Sequence, residues 1–156
     1  MRRLAELLVA AALVLAVVLL WPRGGSGEKP PFYADPVRTP GALNPDVTQA
    51  TIRSTICVRG WTATVRPPSS YTDDLKLKQM AEYGVGGSPS GYQEDHLISL
   101  ELGGSPSDPR NLWPQPRPWA DDVDQTENEL NDRVCSGQLT LAEAQARESA
   151  LKHGTG

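Results

Sequence analysis

The chain has 156 residues, with 15 Lys and Arg against 19 Asp and Glu, a formal charge of −4, and only two Cys and two His. This balance excludes a generic nucleic-acid coat, because non-specific binding of polyanions is driven by Lys and Arg neutralising phosphates. No second Cys or His lies at ligand spacing near either cysteine, which argues against a metal site built on them.

Arg2 and Arg3 precede an apolar run from Leu7 to Trp21 that no charge interrupts, a targeting segment rather than a core helix. With Leu4 and Ala5 it approaches the roughly 20 residues that span a bilayer. Cleavage and retention both stay open. Trp21-Pro22-Arg23, in place of a small-x-small site, favours an uncleaved anchor with everything after Arg23 outside. Residues 1–23 are read as signal peptide or membrane anchor, and the location as extracytoplasmic, membrane-anchored or secreted. Without them, 12 basic groups face 18 acidic ones. Residues 24–44 carry Pro30-Pro31, Pro36 and Pro40 with few aliphatic side chains, which predicts a flexible linker. The remainder, 45–153, has the size of one small domain. Two cysteines in an exported domain, Cys57 and Cys135, predict a disulfide worth on the order of 4 kcal/mol in the chain-entropy model, with two buried free thiols as the alternative.

Within the domain the pattern predicts an α+β fold. Residues 51–65, dense in Thr, Ile, Val and Trp, read as extended structure broken at Gly60 and ended by Pro67-Pro68. Ser70 or Thr72 would cap a helix with Asp73 and Asp74 in its first turn, running to Gly84. A loop follows to Gly91, then a short strand or hairpin arm from His96 to Leu102, ended by Gly103-Gly104. Turn chemistry fills Ser105 to Arg110. A helix is expected from about Ala120, with Asp121 and Asp122 in its first turn and Val123, Thr126, Leu130 and Val134 at helical spacing, ending at Gly137. The last helix starts at Thr140, whose partner Glu143 completes a capping box. His153, near the C-terminus, is expected to fray.

His96 therefore carries the functional question. The stretch Glu94-Asp95-His96-Leu97-Ile98, with Glu101-Leu102-Gly103-Gly104 and Asn111-Leu112-Trp113-Pro114, joins a metal-ligand type, a proton acceptor and a loop-fixing amide. Hydrolysing a phosphodiester needs an attacking water, a base for its proton and positive charge at the leaving oxygen. Imidazole suits the base. Asp95 is expected on the opposite side of an ideal strand, free to serve a metal. Asn111 could return across the loop and fix backbone or imidazole. The bland alternatives are a half-buried, hydrogen-bonded His96, edge-strand charges at Glu94 and Asp95, and core packing for Trp113 and Trp119.

These segments resemble the Asp-His, Gly-Gly, Asn-Leu pattern of HNH endonucleases, the His-Me finger or ββα-metal group, in which two antiparallel strands and a helix grip one divalent cation. The resemblance implies a small α+β domain containing a ββα-metal motif, with Asp95 as a metal ligand, His96 as general base and Asn111 as organiser of the loop. Cys57-Val58-Arg59-Gly60-Trp61 and Val134-Cys135-Ser136-Gly137 are similar to segments of small exported bacterial proteins of this type. HNH enzymes usually add a helix-borne His or Asn; no His stands between Asn111 and Lys152, so Asp124 and Asn128, four apart on one helix face, are the expected substitutes, with Asp121 or Asp122 behind them. The Cys-x-x-Cys zinc pairs of many HNH domains are absent, and Ser99 stands where the pattern often has Pro. The implied cofactor is one divalent ion, Mg²⁺ ahead of Mn²⁺ or Zn²⁺. The implied substrate is DNA ahead of RNA, with Arg110 and Arg117 as candidate substrate contacts. The alternative of a different class is a non-catalytic, envelope-associated binding or structural module that keeps the ββα frame.

Overall fold

The computed structural model describes residues 32–156; the apolar segment 1–23 and the start of the expected linker lie outside the described residues. Among the described residues four helices and one hairpin form an α+β domain: α1 (Trp61–Val65), α2 (Ser69–Glu82), β1 (Tyr92–His96), β2 (Leu112–Pro116), α3 (Arg117–Cys135) and α4 (Leu141–Lys152), with one 3₁₀ turn before α1, one before β1 and two between the strands. Among the described residues no helix is long and apolar enough to cross a membrane.

β1 and β2 pair antiparallel, with Asp95 opposite Trp113 and His96 opposite Leu112. The strand thus lies earlier than the sequence predicts. Leu97 N–H still bonds the Asn111 carbonyl, but beyond it the backbone N–H groups a strand would need are taken by side chains: Ile98 donates to Asn111 Oδ1 and Ser99 to the Glu148 carboxylate, and Leu100–Leu102 turns into a 3₁₀ helix. The extended structure expected over 51–65 is also absent. Thr51 and Thr55 turn their hydroxyls onto backbone carbonyls three to five residues back, which favours the compact turn Ile52–Ser54 over a strand. Gly60 then adopts a φ of 82° and opens α1.

α2 begins at Ser69 behind Pro68, so neither Ser70 nor Thr72 caps it and Asp73 and Asp74 lie beyond its first turn. Pro118 extends the start of α3 back to Arg117, leaving Asp121 and Asp122 past the first turn as well. The capping box at Thr140 and Glu143 is present as predicted. So is the Cys57–Cys135 disulfide, which ties the early turns to the end of α3 with a Cα separation of 5.6 Å.

Two apolar clusters hold these elements. One gathers Val47, Ile52, Ile56, Ile98, Leu102, Leu130, Val134, Leu139, Leu141 and Ala144; the other sets Trp113 against Ala34 and Leu97, with Phe32, Tyr83 and Trp119 around it. Phe32 meets Trp113 edge-on at 5.8 Å, Ala34 N–H donates to the Lys152 carbonyl, and Thr39 is fully buried. Residues 32–44 therefore belong to the domain, a correction to the expected linker: proline-rich chain with little aliphatic content still docks where aromatic side chains offer area. His153 does not fray, because its Nε2 bonds the Thr39 carbonyl of that segment at 3.0 Å.

Candidate metal centre

β1 ends inside the fold, and its last residue, His96, is 4% exposed. Its Nε2 lies 2.9 Å from the Pro106 carbonyl oxygen. A carbonyl only accepts, so Nε2 carries the ring proton and Nδ1 is left as the acceptor. Burial lowers the His96 pKa, against the Pro106 hydrogen bond and Asp95, and keeps the ring neutral. The loop that supplies Pro106 is held by Asn111, fully buried, whose amide accepts from Ile98 N–H at 2.9 Å and donates to the Ile98 and Ser105 carbonyls at 3.0 Å each. Asn111 thus grips backbone and does not touch the imidazole. Gly104 permits this grip, since a Cβ there would overlap the Ile98 carbonyl and crowd the Asn111 amide.

His96 and Asp95 line the same cleft of about 330 Å³, together with Gln93, Ser99, Glu101, Asp124, Glu127, Asn128, Thr62 and Arg66. Asp95, Asp124 and Glu127 each offer one carboxylate oxygen within 4.8 Å of the others. Three carboxylates are a hard, all-oxygen set, which fits Mg²⁺ or Mn²⁺ better than Zn²⁺. Asn128 also lines the cleft, but its amide donates to the Asp124 carbonyl at 2.7 Å, and it is outside the carboxylate trio.

Glu127 is the residue the sequence reading missed, and a signal for it existed. Ala120, Val123, Glu127, Leu130 and Val134 are the buried positions of α3, so an acid interrupts the apolar stripe at regular spacing. α4 repeats the pattern with Leu141, Ala144, Glu148 and Lys152. Lys152, fully buried, places its ammonium 3.4 Å from Asp95, 2.5 Å from Glu127 and 3.2 Å from Glu148, and donates to the His96 carbonyl. Burial alone would lower its pKa, but Asp95, Glu148 and Glu127 together raise it above its ordinary range, so it stays charged. One ammonium cannot neutralise all these acids. Burial and repulsion from Asp95 raise Glu127 and Glu148, with Glu148 adding to the rise of Glu127, and burial and Asp95 raise Asp124. Glu101 is pushed up to about 7 by burial, Glu148 and Asp124.

The arginines sort differently from the sequence reading. Arg110 is exposed and forks onto Asp108 at 2.6 Å, and Arg117 opens α3 in solvent; neither lines the cleft. Arg66 does, fixed at the end of α1 by Pro67, and it makes no ion pair among the described residues. Trp113 is buried and packs edge-on against Trp119 at 5.9 Å, so it offers no stacking face to solvent. No protein-family model, curated protein or solved structure matches this chain.

Proposed function

We propose that this protein is an HNH-like, metal-dependent endonuclease that hydrolyses phosphodiester bonds of DNA, ahead of RNA, outside the cytoplasmic membrane. The observation that carries the reading is a buried His96, its Nε2 on the Pro106 carbonyl, sharing one cleft with three clustered carboxylates. The order β1, β2, α3 supports it, since it follows that of a ββα-metal motif. The disulfide supports an oxidising compartment.

His96 Nδ1 takes a proton from the attacking water as the water oxygen bonds to phosphorus. The phosphorus–oxygen bond to the leaving sugar oxygen breaks, and that oxygen takes a proton from solvent. A divalent ion on Asp95, Asp124 and Glu127 would supply positive charge at the leaving oxygen. Arg66 meets the phosphate at the cleft, and Asn111 acts as a positioning residue by holding the loop that orients His96.

The test incubates the purified protein, disulfide intact, with plasmid and single-stranded DNA plus Mg²⁺ or Mn²⁺. Cleavage is expected to vanish with EDTA and to fall about 10²–10⁴-fold in His96→Ala. Arg66→Ala is expected to raise KM more than it lowers kcat. One observation favours a second reading, a non-catalytic envelope-associated module: Lys152 already gives Asp95 and Glu127 a cation. A folded protein that cleaves under neither metal would establish that reading instead.

A further inference from the structure

Lys152 is a fully buried charge that the hydrolytic step does not use. Its ammonium meets Asp95 Oδ2, Glu127 Oε1, Glu148 Oε1 and the His96 carbonyl, four acceptors for three donors. Two of those acids belong to the candidate metal trio, and in each the ammonium takes one oxygen only: Asp95 Oδ1 and Glu127 Oε2 have no hydrogen-bond partner among the described residues. The third member, Asp124, does not touch the ammonium at all. Neither Lys152 nor Glu148 lines the cleft, so Lys152 approaches the carboxylates from the buried side while the cleft opens on the other. The same ammonium binds the carbonyl of His96, and its neighbour Glu148 accepts from Ser99 N–H at 2.9 Å, so one helix face fixes both the end of β1 and the turn after it.

We infer that Lys152 is a positioning residue, a resident cation that orients Asp95 and Glu127 so that their free oxygens and Asp124 face a single divalent ion, which joins Lys152 rather than displacing it. The inference rests on the metal-centre reading above. It makes the C-terminal helix part of the site, although α4 contributes no ligand and no group to the cleft. The physical cause is that a carboxylate has two oxygens: a fixed ammonium on one sets the direction of the other, and a partner behind a ligand sets its geometry and basicity.

The decisive variant is Lys152→Met with Glu148→Gln, which removes one positive and one negative charge and leaves the net charge of the cluster unchanged. Mn²⁺ binding followed by calorimetry, with no substrate present, should give one ion per wild-type chain and an affinity about 10–100-fold weaker in the double variant. A merely structural Lys152 would lower Tm and leave the Mn²⁺ affinity of the folded protein unchanged, which would overturn the inference. The wild-type chain supplies a measurement that needs no variant to fold: the Lys152 Nζ resonance in ¹⁵N-labelled protein should persist, slowly exchanging and shifted, when Mg²⁺ is added. Its movement to solvent-exposed values would mean displacement and would also overturn the inference. Absence of any Mn²⁺ binding by the wild-type protein would overturn the metal reading itself, an outcome distinct from a wild type and double variant that bind equally well.

Discussion

Asn111 and Gln115 lie four residues apart and are both fully buried, yet their amides have opposite fates. Asn111 satisfies its side chain with three hydrogen bonds to loop backbone, whereas both polar atoms of Gln115 lack a protein partner among the described residues. The contrast extends to acids: Glu148 accepts from Ser99 and faces Lys152, while both oxygens of Glu94, one position before Asp95, are buried without a partner. The bonded set lies behind the cleft and holds the segment from His96 to Asn111. The unbonded set lies along the hairpin away from those bonds. Burying a polar group costs stability unless it is paired, so the first set fixes a geometry and the second is a cost the fold carries.

The largest effect should come from breaking the bonded set at its charge. Lys152→Met alone leaves Glu127 and Glu148 buried without their cation, and removal of one partner of a buried ion pair costs about 3–5 kcal/mol. Urea denaturation at neutral pH checks this, and adding Glu148→Gln should recover part of the loss. A single variant as stable as the wild type would show that the cluster does not hold the fold. Next, Asn111→Ala deletes three hydrogen bonds and strands the Ile98 N–H and carbonyl in the interior, a loss of about 3 kcal/mol. It should also speed hydrogen exchange at Ile98, since that amide loses its acceptor. Protection at Ile98 unchanged in a folded Asn111→Ala protein would remove Asn111 from the set.

The contrast between the two sets also explains what the sequence made legible. Local chemistry was readable: Thr140 with Glu143 announces a helix start, two cysteines in an exported domain announce a bridge, and α2 and α3 follow from spacing to within a few residues at their ends. The strand was misplaced because its residues, Tyr92-Gln93-Glu94-Asp95-His96, are mostly polar, while the apolar Leu97-Ile98 that follow leave the ladder where the side chains of Asn111 and Glu148, far along the chain, take the N–H groups of Ile98 and Ser99. Such bonds have no signature in a window of ten residues. Asp95, His96 and Asp124, which the sequence offers as candidates, line one cleft in the structure. Glu148 and Lys152 were not legible, because charges four apart on a helix ordinarily read as a solvated pair, and neither was Glu127, a lone acid with Val123 and Asn131 four residues to either side. Only their place in an apolar stripe distinguishes them.

The smallest effect probes the unbonded set, and it should run in the stabilising direction. Burial pushes the Glu94 carboxyl up to about 8, with the Asp95 charge adding to the rise and Lys76 opposing it. The folded pKa stands above the ordinary value of 4.5, so between these two pH values the folded chain holds a proton that the unfolded chain has released. Stability from this group is complete below about pH 4.5 and declines as pH rises toward about 8. Glu94→Gln keeps the shape of the neutral acid and has no proton to lose. It should match the wild type near pH 4.5 and exceed it at about pH 8.5 by at least about 1 kcal/mol, one pKa unit's worth of differential interaction. Comparing the two proteins by urea denaturation at both pH values isolates Glu94, because Glu101 and the carboxylates of the cleft titrate in both. A difference that stays flat across pH would mean that Glu94 finds a partner when ionised, and the hairpin would then carry no unpaired acid.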